Sequence, residues 1–418
     1  MQKLTVKGKK KLLGSINISG SKNATLPILA AALLTDKTII LKNVPLVQDV
    51  YTMINLLKFI GMNVEIFKKV NTLKISNNKK LKTTAPYNLL KTMRAGVLVL
   101  GPLLAKYKKA KVSLPGGCAI GSRPVNLHLF ALEKLGAKIK IKNGYIYASA
   151  KNGLKGNIIK FPSISVGATE NTILAAVSAK GKTIILNCAI EPEIQDMIVF
   201  LKKMGCNINI VGKRKILIIG TKEYKKVNHE VIFDRIELGT FLIAAALVGK
   251  KVILLKIKPK IIETEINLLK KMGVKMKIDK NKITVFESIK INNANIKTEP
   301  YPGFPTDLQA QIMVLMSKAL GVSKITENIF ENRFMHVPEL RRMGAKIIIK
   351  NNTAFITGPT NLSGAEVMAT DLRASVSLVL AALTADNKTT INRVYHLDRG
   401  YENLEKKLKK CKANIKRV

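Results

Sequence analysis

The stretch LLKKMGVKMKI, residues 268–278, contains the pattern that decides the fold. Leucine and methionine at helical spacing end at Gly273, and glycine most readily adopts the left-handed conformation that ends a helix. After the glycine, apolar residues alternate with lysine, which is typical of a strand with one buried face. The stretch therefore predicts the end of an amphipathic helix, a tight reversal and a half-buried strand.

The same pattern recurs along the whole chain. Four further copies carry the glycine, and a sixth lacks it: LLKFIGMNVEI (56–66), ALEKLGAKIKI (131–141), FLKKMGCNINI (200–210), ELRRMGAKIII (339–349) and KLKKCKANIKRV (407–418). A second pattern, an alanine-rich helix followed by a β-branched strand, accompanies most copies, as in AAVSAKGKTIILNCA (175–189). The copies predict six units of about 70 residues, each with two helices and several strands.

The length of this period bears on the architecture. Solenoid repeats are usually about 20–50 residues long, so a longer unit with both helices and strands favours closed units arranged symmetrically. We therefore predict an α/β fold with two domains of three units each and a ligand cleft between them.

The chain is strongly basic, with 418 residues and a net charge of +44. Only eleven of its 71 basic residues are arginines, and the lysines are spread along the whole sequence. Tryptophan is absent and aromatic residues make up 5%, which is poor material for base stacking. We interpret the charge as solvated surface and expect no specific nucleic-acid partner; a polyanion-binding surface is the alternative. Either interpretation favours anionic substrates.

The sequence shows no membrane or secretory pattern. No apolar run approaches the roughly 18 residues of a membrane helix, and MQKLTVKGKKKLL at the N-terminus does not resemble a signal peptide. Four scattered cysteines without CxxC spacing, Cys118, Cys188, Cys206 and Cys411, predict neither a disulfide framework nor a metal site. We expect a cytoplasmic protein that contacts no membrane.

A polar cluster precedes each predicted alanine-rich helix. The clusters are SKNATLP (21–27), KTMRAGV (91–97), SVGATEN (165–171), FDRIELGT (233–240), PTDLQAQ (305–311) and TDLRASV (370–376). Ser, Thr and Asp are good helix caps, which explains most of these residues structurally. Capping does not require the positive charges of Lys22, Arg94, Arg235 and Arg373. Together with helix N-termini, they favour an anion-binding site.

The segment LPGGCAIGSRP, residues 114–124, is the most informative part of the chain. Three glycines and two prolines predict a mobile loop, which is either a connector or a lid. Cys118 near Arg123 would have a lowered pKa and real reactivity. Arginine is scarce here, and its fork geometry suits carboxylate and phosphate. The arginines in loop-like or helix-start motifs are Arg94, Arg123, Arg333, Arg373 and Arg399.

Seven of these strings resemble the enolpyruvyl transferase family, in its peptidoglycan branch. They are SGSKNATLPIL (19–29), LPGGCAIGSRPVNLH (114–128), SVGATEN (165–171), FPTDLQAQ (304–311), FENRFMHVPEL (330–340), MATDLRAS (368–375) and HLDRGYE (396–402). The resemblance spans the chain with its motifs in order. It implies a two-domain inverse α/β barrel, with one domain at 22–232 and the other formed by 1–21 and 233–418.

The resemblance implies a reaction as well. The enolpyruvyl group of phosphoenolpyruvate would pass to the 3-hydroxyl of UDP-N-acetylglucosamine with release of phosphate, the first committed step of peptidoglycan synthesis. It implies no cofactor and no metal, and we expect a monomer and a target of fosfomycin. The sister enzyme that acts on shikimate 3-phosphate is the alternative, but the cysteine loop and FENRFMHVPEL argue against it. A non-catalytic polyanion-binding protein would leave Cys118 and Asp307 unexplained.

The resemblance also implies residue roles. Cys118 would donate a proton to the methylene carbon, and Asp307 would be the base that faces the acceptor hydroxyl. Phosphoenolpyruvate would be bound by Lys22, Asn23, Arg123, Arg333, Arg373 and Arg399. UDP-N-acetylglucosamine would be bound by Arg94, Arg123, Pro124, Val125, Asn126, Leu127, Ser163, Ile164, Ser165, Val166, Asp307 and Ile329.

Overall fold

The helix-ending glycines adopt the backbone conformation that the sequence predicts. In the computed structural model, which describes residues 2–77, 79–116 and 125–418, all five have a positive φ, from 91° at Gly273 to 122° at Gly61. In the sixth copy, Lys412 takes the same position with a φ of 68°. That conformation costs a residue with a side chain about 1–2 kcal/mol. The reversal is therefore kept even where glycine has been replaced.

The described residues form 24 strands and 13 α-helices. The strands are β1 Leu4–Lys7, β2 Leu12–Asn17, β3 Ile39–Lys42, β4 Asn63–Phe67, β5 Thr72–Ser76, β6 Thr84–Ala85, β7 Lys109–Ser113, β8 Lys138–Lys142, β9 Tyr145–Ser149, β10 Ile158–Lys160, β11 Lys182–Leu186, β12 Asn207–Ile210, β13 Lys215–Ile219, β14 Val227–Glu230, β15 Gly249–Leu255, β16 Met276–Asp279, β17 Lys282–Phe286, β18 Asn295–Lys297, β19 Gly321–Thr326, β20 Lys346–Lys350, β21 Thr353–Gly358, β22 Glu366–Met368, β23 Lys388–Asn392 and β24 Asn414–Arg417. The helices are α1 Lys22–Ala31, α2 Gln48–Ile60, α3 Tyr87–Leu90, α4 Leu100–Tyr107, α5 Asn126–Lys134, α6 Val166–Ala176, α7 Pro192–Lys203, α8 Arg235–Val248, α9 Glu263–Lys271, α10 Gln309–Ser317, α11 Val337–Arg342, α12 Leu372–Thr384 and α13 Leu404–Lys410.

The strands form six sheets of four strands each. Their orders are β14-β3-β5-β4, β6-β7-β9-β8, β10-β11-β13-β12, β2-β15-β17-β16, β18-β19-β21-β20 and β22-β23-β1-β24. In every sheet the first two strands pair in parallel and the other neighbours pair antiparallel, as β6 with β7 and β7 with β9. This shared topology confirms the predicted α/β fold of six repeats.

Three strands reach their sheets from distant parts of the sequence. Strand β14 pairs in parallel with β3, β2 pairs in parallel with β15, and β1 lies between β23 and β24. The chain forms two compact units, each with three sheets. Of the described residues, we call 20–116 and 125–232 the first unit; the second unit consists of 2–19 and 233–418.

Helix burial follows composition. Helices α8 and α12 are alanine-rich and almost wholly buried, because small side chains allow close packing on all sides. Helices such as α9 bury one face only, with its lysines and glutamates largely on the other. Within the described ranges, no helix has both the length and the apolar character needed to cross a membrane.

Candidate active site

Asp307 lies between two buried arginines of the second unit. Its Oδ1 accepts a hydrogen bond from Nη2 of Arg333 at 2.7 Å, and its Oδ2 accepts one from Nη2 of Arg373 at 2.7 Å. The side chain of Asp307 is 28% exposed, whereas those of Arg333 and Arg373 are 4% and 7% exposed. One carboxylate thus faces two guanidinium groups, which leaves an excess of positive charge beside a partly exposed anion. An incoming phosphate or carboxylate would be attracted to this place.

Asp307 does not act as a helix cap, although its position at a helix start suggested that explanation. It lies in the 3₁₀ turn Thr306–Leu308, and neither this turn nor α10 has a side-chain cap. The preceding residue is held instead by Glu327, whose Oε2 accepts from Oγ1 of Thr306 at 2.9 Å and whose Oε1 accepts from the backbone of Ile329 at 2.9 Å. Glu327 therefore fixes the turn of Asp307 and the turn of Ile329 together.

The guanidinium of Arg373 is held by a buried polar network. Its Nη1 donates to the hydroxyl of Tyr401 at 3.1 Å, and that hydroxyl lies 2.8 Å from Oγ1 of Thr240. Gln311 donates to Thr240 at 3.2 Å and to the carbonyl of Asp307 at 2.9 Å. Burial, the largest single effect, lowers the pKa of Arg373, but the charges of Asp307, Tyr401 and Asp234 and the hydrogen bond to Asp307 together outweigh it and raise the pKa. Arg373 stays charged, and its direction is fixed before any ligand arrives.

Arg399 and Ile329 lie on the same unit. Arg399 ends the 3₁₀ turn Val394–Arg399 and is half-buried. The pKa of His396 is lowered, first by the burial of His396 itself and then by the charge of Arg399. Ile329 is 36% exposed. Asp371 caps α12 through bonds to the backbone of Arg373 and Ala374, so the capping explanation is confirmed there.

In the first unit, Lys22 forms a buried ion pair. Its Nζ lies 3.0 Å from Oδ2 of Asp49, and both side chains are nearly inaccessible. Ser21 caps α1 through the backbone of Ala24, which leaves Lys22 and Asn23 as the first two helical residues. A cation at a helix N-terminus is electrostatically unfavourable. Asp49 compensates that charge. The arrangement is consistent with a lysine whose role is to bind an anionic ligand.

Arg94, helix α5 and the start of α6 meet around His128. Asn171 accepts from the backbone of Gly101 at 2.8 Å, so its amide nitrogen is the group that faces Nδ1 of His128 at 3.1 Å. The ring is therefore neutral with its proton on Nε2, and a side chain at Gly167 would lie 3.3 Å from that atom. Burial, followed by the charge of Arg94, lowers the pKa of His128 to about 4.

The neutral state of His128 predicts that acid destabilises the first unit. The pKa in the folded protein, about 4, lies below the ordinary histidine value of 6.5, so the unfolded chain binds the proton more tightly and stability is lost as pH falls from 6.5 towards 4. Between pH 7 and pH 5 we expect a loss of about 2 kcal/mol from this residue. Urea unfolding at the two pH values, in wild type and His128→Gln, measures it. An unchanged pH dependence in the variant would contradict the assignment.

The remaining predicted nucleotide residues lie in the same unit. Ser163 and Val166 are exposed, whereas Ile164 is half-buried. Ser165 caps α6 through the backbone of Ala168 at 3.3 Å, so its hydroxyl already has a structural role. Val125, Asn126 and Leu127 stand at the start of α5, with Asn126 exposed. Cys118, Arg123 and Pro124 lie outside the described residues.

Sequence reasoning missed the residues that hold the site together. No role was assigned from the sequence to Asp49, Tyr401, Glu327 or His128. Tyr401 belongs to the HLDRGYE string, so a tyrosine two residues after Arg399 was the available signal. Asp49 gave none, because an acidic residue in the first turn of a helix is ordinary.

Comparison with known proteins gives the family. A family model described as EPSP synthase (3-phosphoshikimate 1-carboxyvinyltransferase) matches residues 6–408. The chain is 62% identical over 418 residues to a UDP-N-acetylglucosamine 1-carboxyvinyltransferase of Pelagibacter ubique (strain HTCC1062), with all of both chains covered. It is 53% identical to the protein of the same name from Rickettsia canadensis (strain McKiel), again over the whole of both chains.

Solved structures share the fold. The enolpyruvyl transferase NikO from Streptomyces tendae superimposes with a TM-score of 0.92 at 22% identity, covering 100% of this chain and 99% of the other. EPSP synthase from Acinetobacter baumannii gives a TM-score of 0.78 at 17% identity over the whole of both chains. The inverse barrel fold predicted from the resemblance is thereby confirmed, and it defines the class of enolpyruvyl transferases. Within that class, the chain belongs to the family of UDP-N-acetylglucosamine 1-carboxyvinyltransferases.

Proposed function

We propose that the chain transfers the enolpyruvyl group of phosphoenolpyruvate to the 3-hydroxyl of UDP-N-acetylglucosamine and releases phosphate. The observation that carries this proposal is the 62% identity, over the full length of both chains, to a relative named for that transfer. The shikimate enzyme remains a distant relative at 17% identity, so the acceptor is the nucleotide sugar. The step commits material to peptidoglycan and thereby serves cell-wall growth.

In this proposal, basic side chains of the chain bind the anionic donor, phosphoenolpyruvate. Arg333 and Arg373 present buried guanidinium groups that are fixed in direction, and these suit the paired oxygens of a carboxylate or phosphate. Lys22, Asn23, Arg123 and Arg399 complete the set in this proposal. Because Asp307 is hydrogen-bonded to both Arg333 and Arg373, phosphoenolpyruvate would compete with Asp307 for these two guanidinium groups. Donor binding then frees a carboxylate oxygen to accept a proton.

The chemistry is an addition followed by an elimination. Cys118 delivers a proton to the methylene carbon, and the sugar oxygen bonds to the enol carbon while Asp307 takes the hydroxyl proton. In the second step the Cys118 thiolate takes back a proton from the new methyl group, the carbon–oxygen bond to phosphate breaks with its electron pair, and the double bond returns. General acid–base catalysis contributes about 10²–10⁴-fold. The fixed arginines supply electrostatic stabilisation of the developing charge.

The nucleotide sugar is held by the segments that meet around His128. In this proposal the uridine diphosphate group and the sugar are bound by Arg94, Arg123, Pro124, Val125, Asn126, Leu127 and Ser163–Val166. Ile329 and Asp307 line the acceptor side. His128 is a buried residue of α5 that is hydrogen-bonded to Asn171 and lies close to Arg94 and to the backbone of Gly167. A neutral ring adds no charge beside Arg94.

Three described cysteines favour a reducing compartment. Cys188, Cys206 and Cys411 are buried free thiols, which fits a cytoplasmic enzyme. We also propose that it acts as a monomer without a cofactor.

Phosphate release from phosphoenolpyruvate tests the function. We expect release to require UDP-N-acetylglucosamine, because the acceptor hydroxyl is a reactant, and shikimate 3-phosphate should not replace it. A colorimetric phosphate assay with each acceptor, and with neither, makes the measurement. Turnover with the shikimate ester alone would overturn the assignment of the acceptor.

A further inference from the structure

The outer face of the sheet β6-β7-β9-β8 concentrates positive charge. Side chains of every second residue share a face of a strand. On this face Lys109 and Lys111 of β7 lie on one side of β9, and Lys138 and Lys140 of β8 lie on the other. Among the described residues, no carboxylate is ion-paired with any of these four lysines.

Tyrosines run along the middle of the same face. Tyr147 lies in register between Lys111 and Lys140. Tyr145 is two residues earlier on β9 and therefore lies on the same face. The Nζ of Lys111 lies 4.7 Å from the ring centre of Tyr145 and 5.3 Å from that of Tyr147. Tyr87 is 55% exposed, and its backbone donates to the hydroxyl of Tyr145. Three of the nine tyrosines of the chain thus meet here.

An open depression lies on this face. Its volume is about 380 Å³, and its lining includes Thr83 and Ser149 besides the four lysines and Tyr147. The opposite face of the sheet packs into the core through residues such as Val112 and Ile146. The lysines and tyrosines are therefore not needed to build the sheet, and the core explains neither their charge nor their clustering.

We propose that this face binds single-stranded nucleic acid without sequence specificity. Aromatic side chains on an open sheet stack bases, and flanking lysines contact phosphates; both are established ways of holding a single strand. Here the two kinds of side chain alternate across three neighbouring strands. The absence of a carboxylate partner leaves the charge available to a polyanion. The expected preference is for single strands, whose bases are free to stack.

The composition of the face favours nucleic acid over an anionic membrane. Surface-bound proteins insert bulky apolar side chains into the lipid. Most of the residues that line this depression carry an amine or a hydroxyl group: the four lysines, Tyr147, Thr83 and Ser149.

Fluorescence anisotropy with a labelled oligonucleotide of about 20 thymidines, a length above the site of one binding module, tests the proposal on the full chain. Wild type should bind saturably, and the affinity should fall as salt rises. Lys111→Gln combined with Lys140→Gln should weaken binding roughly 20-fold at 0.1 M salt and reduce the salt slope by about 1.4. Tyr147→Ala should weaken it about fivefold or more, and Tyr147→Phe, which keeps the ring, should not.

The sheet β18-β19-β21-β20 supplies a matched control. Lys324 and Phe355 occupy the positions of Lys111 and Tyr147, but Ile348 stands where Lys140 does. Lys324→Gln combined with Lys346→Gln removes the same charge from this other face and should leave binding close to wild type. All variants should keep wild-type melting temperatures and wild-type phosphate release.

Several outcomes would overturn the proposal. One is the lack of saturable binding at low salt, and another is an equal loss in the control pair, which would mean that overall charge alone is responsible. A third is retained affinity in Tyr147→Ala. A last experiment measures binding to vesicles of phosphatidylglycerol. If the protein binds them through Lys111 and Lys140 and the oligonucleotide does not compete, the face is a membrane-docking surface instead.

Discussion

Asp307→Ala is expected to reduce the rate of phosphate release at least about 100-fold, the lower range for loss of a catalytic base. The carboxylate is partly exposed, forms no helix cap and lies 2.7 Å from each of two guanidinium groups. When the donor takes over those arginines, Asp307 becomes the carboxylate that faces the acceptor hydroxyl in the proposed mechanism. Its loss removes the proton acceptor while Arg333 and Arg373 still bind the donor. We therefore expect kcat to fall far more than KM for phosphoenolpyruvate rises.

Stability must be measured beside activity, because the substitution leaves two buried arginines without this partner. Breaking a buried ion pair from one side can cost about 3–5 kcal/mol. Asp307→Asn keeps the size and one acceptor oxygen but cannot take a proton, so it should fold better and remain inactive. Asp279→Asn is the control: this aspartate forms a surface pair with Lys282 at 3.9 Å in the same unit. Activity of Asp307→Asn within about threefold of wild type would contradict the role as a base.

The fold was accessible from sequence because each repeat carries its own local signal. The glycine after each amphipathic helix specifies a left-handed residue, and all five glycines have a positive φ. The pairing of strands from distant parts of the chain had no such local signal. Strand β1 pairs with β23 and β24, more than 380 residues away along the chain, and no local pattern encodes which edge it joins.

The candidate site was accessible only through residue chemistry. Arginine in a lysine-rich protein, and the carboxylate within the FPTDLQAQ string, directed attention to Arg333, Arg373 and Asp307. Their pairing could not be read from the sequence, because Asp307 lies 26 residues from Arg333 and 66 from Arg373. The supporting role of Tyr401 likewise appears only in the folded chain, where its hydroxyl lies 2.8 Å from Oγ1 of Thr240 on α8 and 3.1 Å from Nη1 of Arg373.

The four cysteines should differ sharply in reactivity. Burial raises the pKa of Cys188 to about 11, that of Cys206 to about 12 and that of Cys411 to about 11. At neutral pH only about one thiol in 10⁴ or fewer is then a thiolate, and the thiolate is the nucleophile. All three are also inaccessible. Cys118 is outside the described residues, and the sequence predicts it to be reactive because Arg123 and a glycine-rich segment stand beside it.

An epoxide phosphonate such as fosfomycin should therefore inactivate the enzyme completely by alkylating Cys118 alone. The phosphonate resembles the donor in charge, so the cations proposed to bind phosphoenolpyruvate should concentrate it near the predicted loop. The thiolate then forms a carbon–sulfur bond, one epoxide carbon–oxygen bond breaks, and the released oxygen takes a proton. Intact mass should show one adduct, and peptide mapping should find it within 114–124. Cys118→Ser should form none, whereas Cys206→Ser should be labelled like wild type. An adduct on Cys188, Cys206 or Cys411, or no adduct at all, would refute the assignment of Cys118 as the reactive thiol.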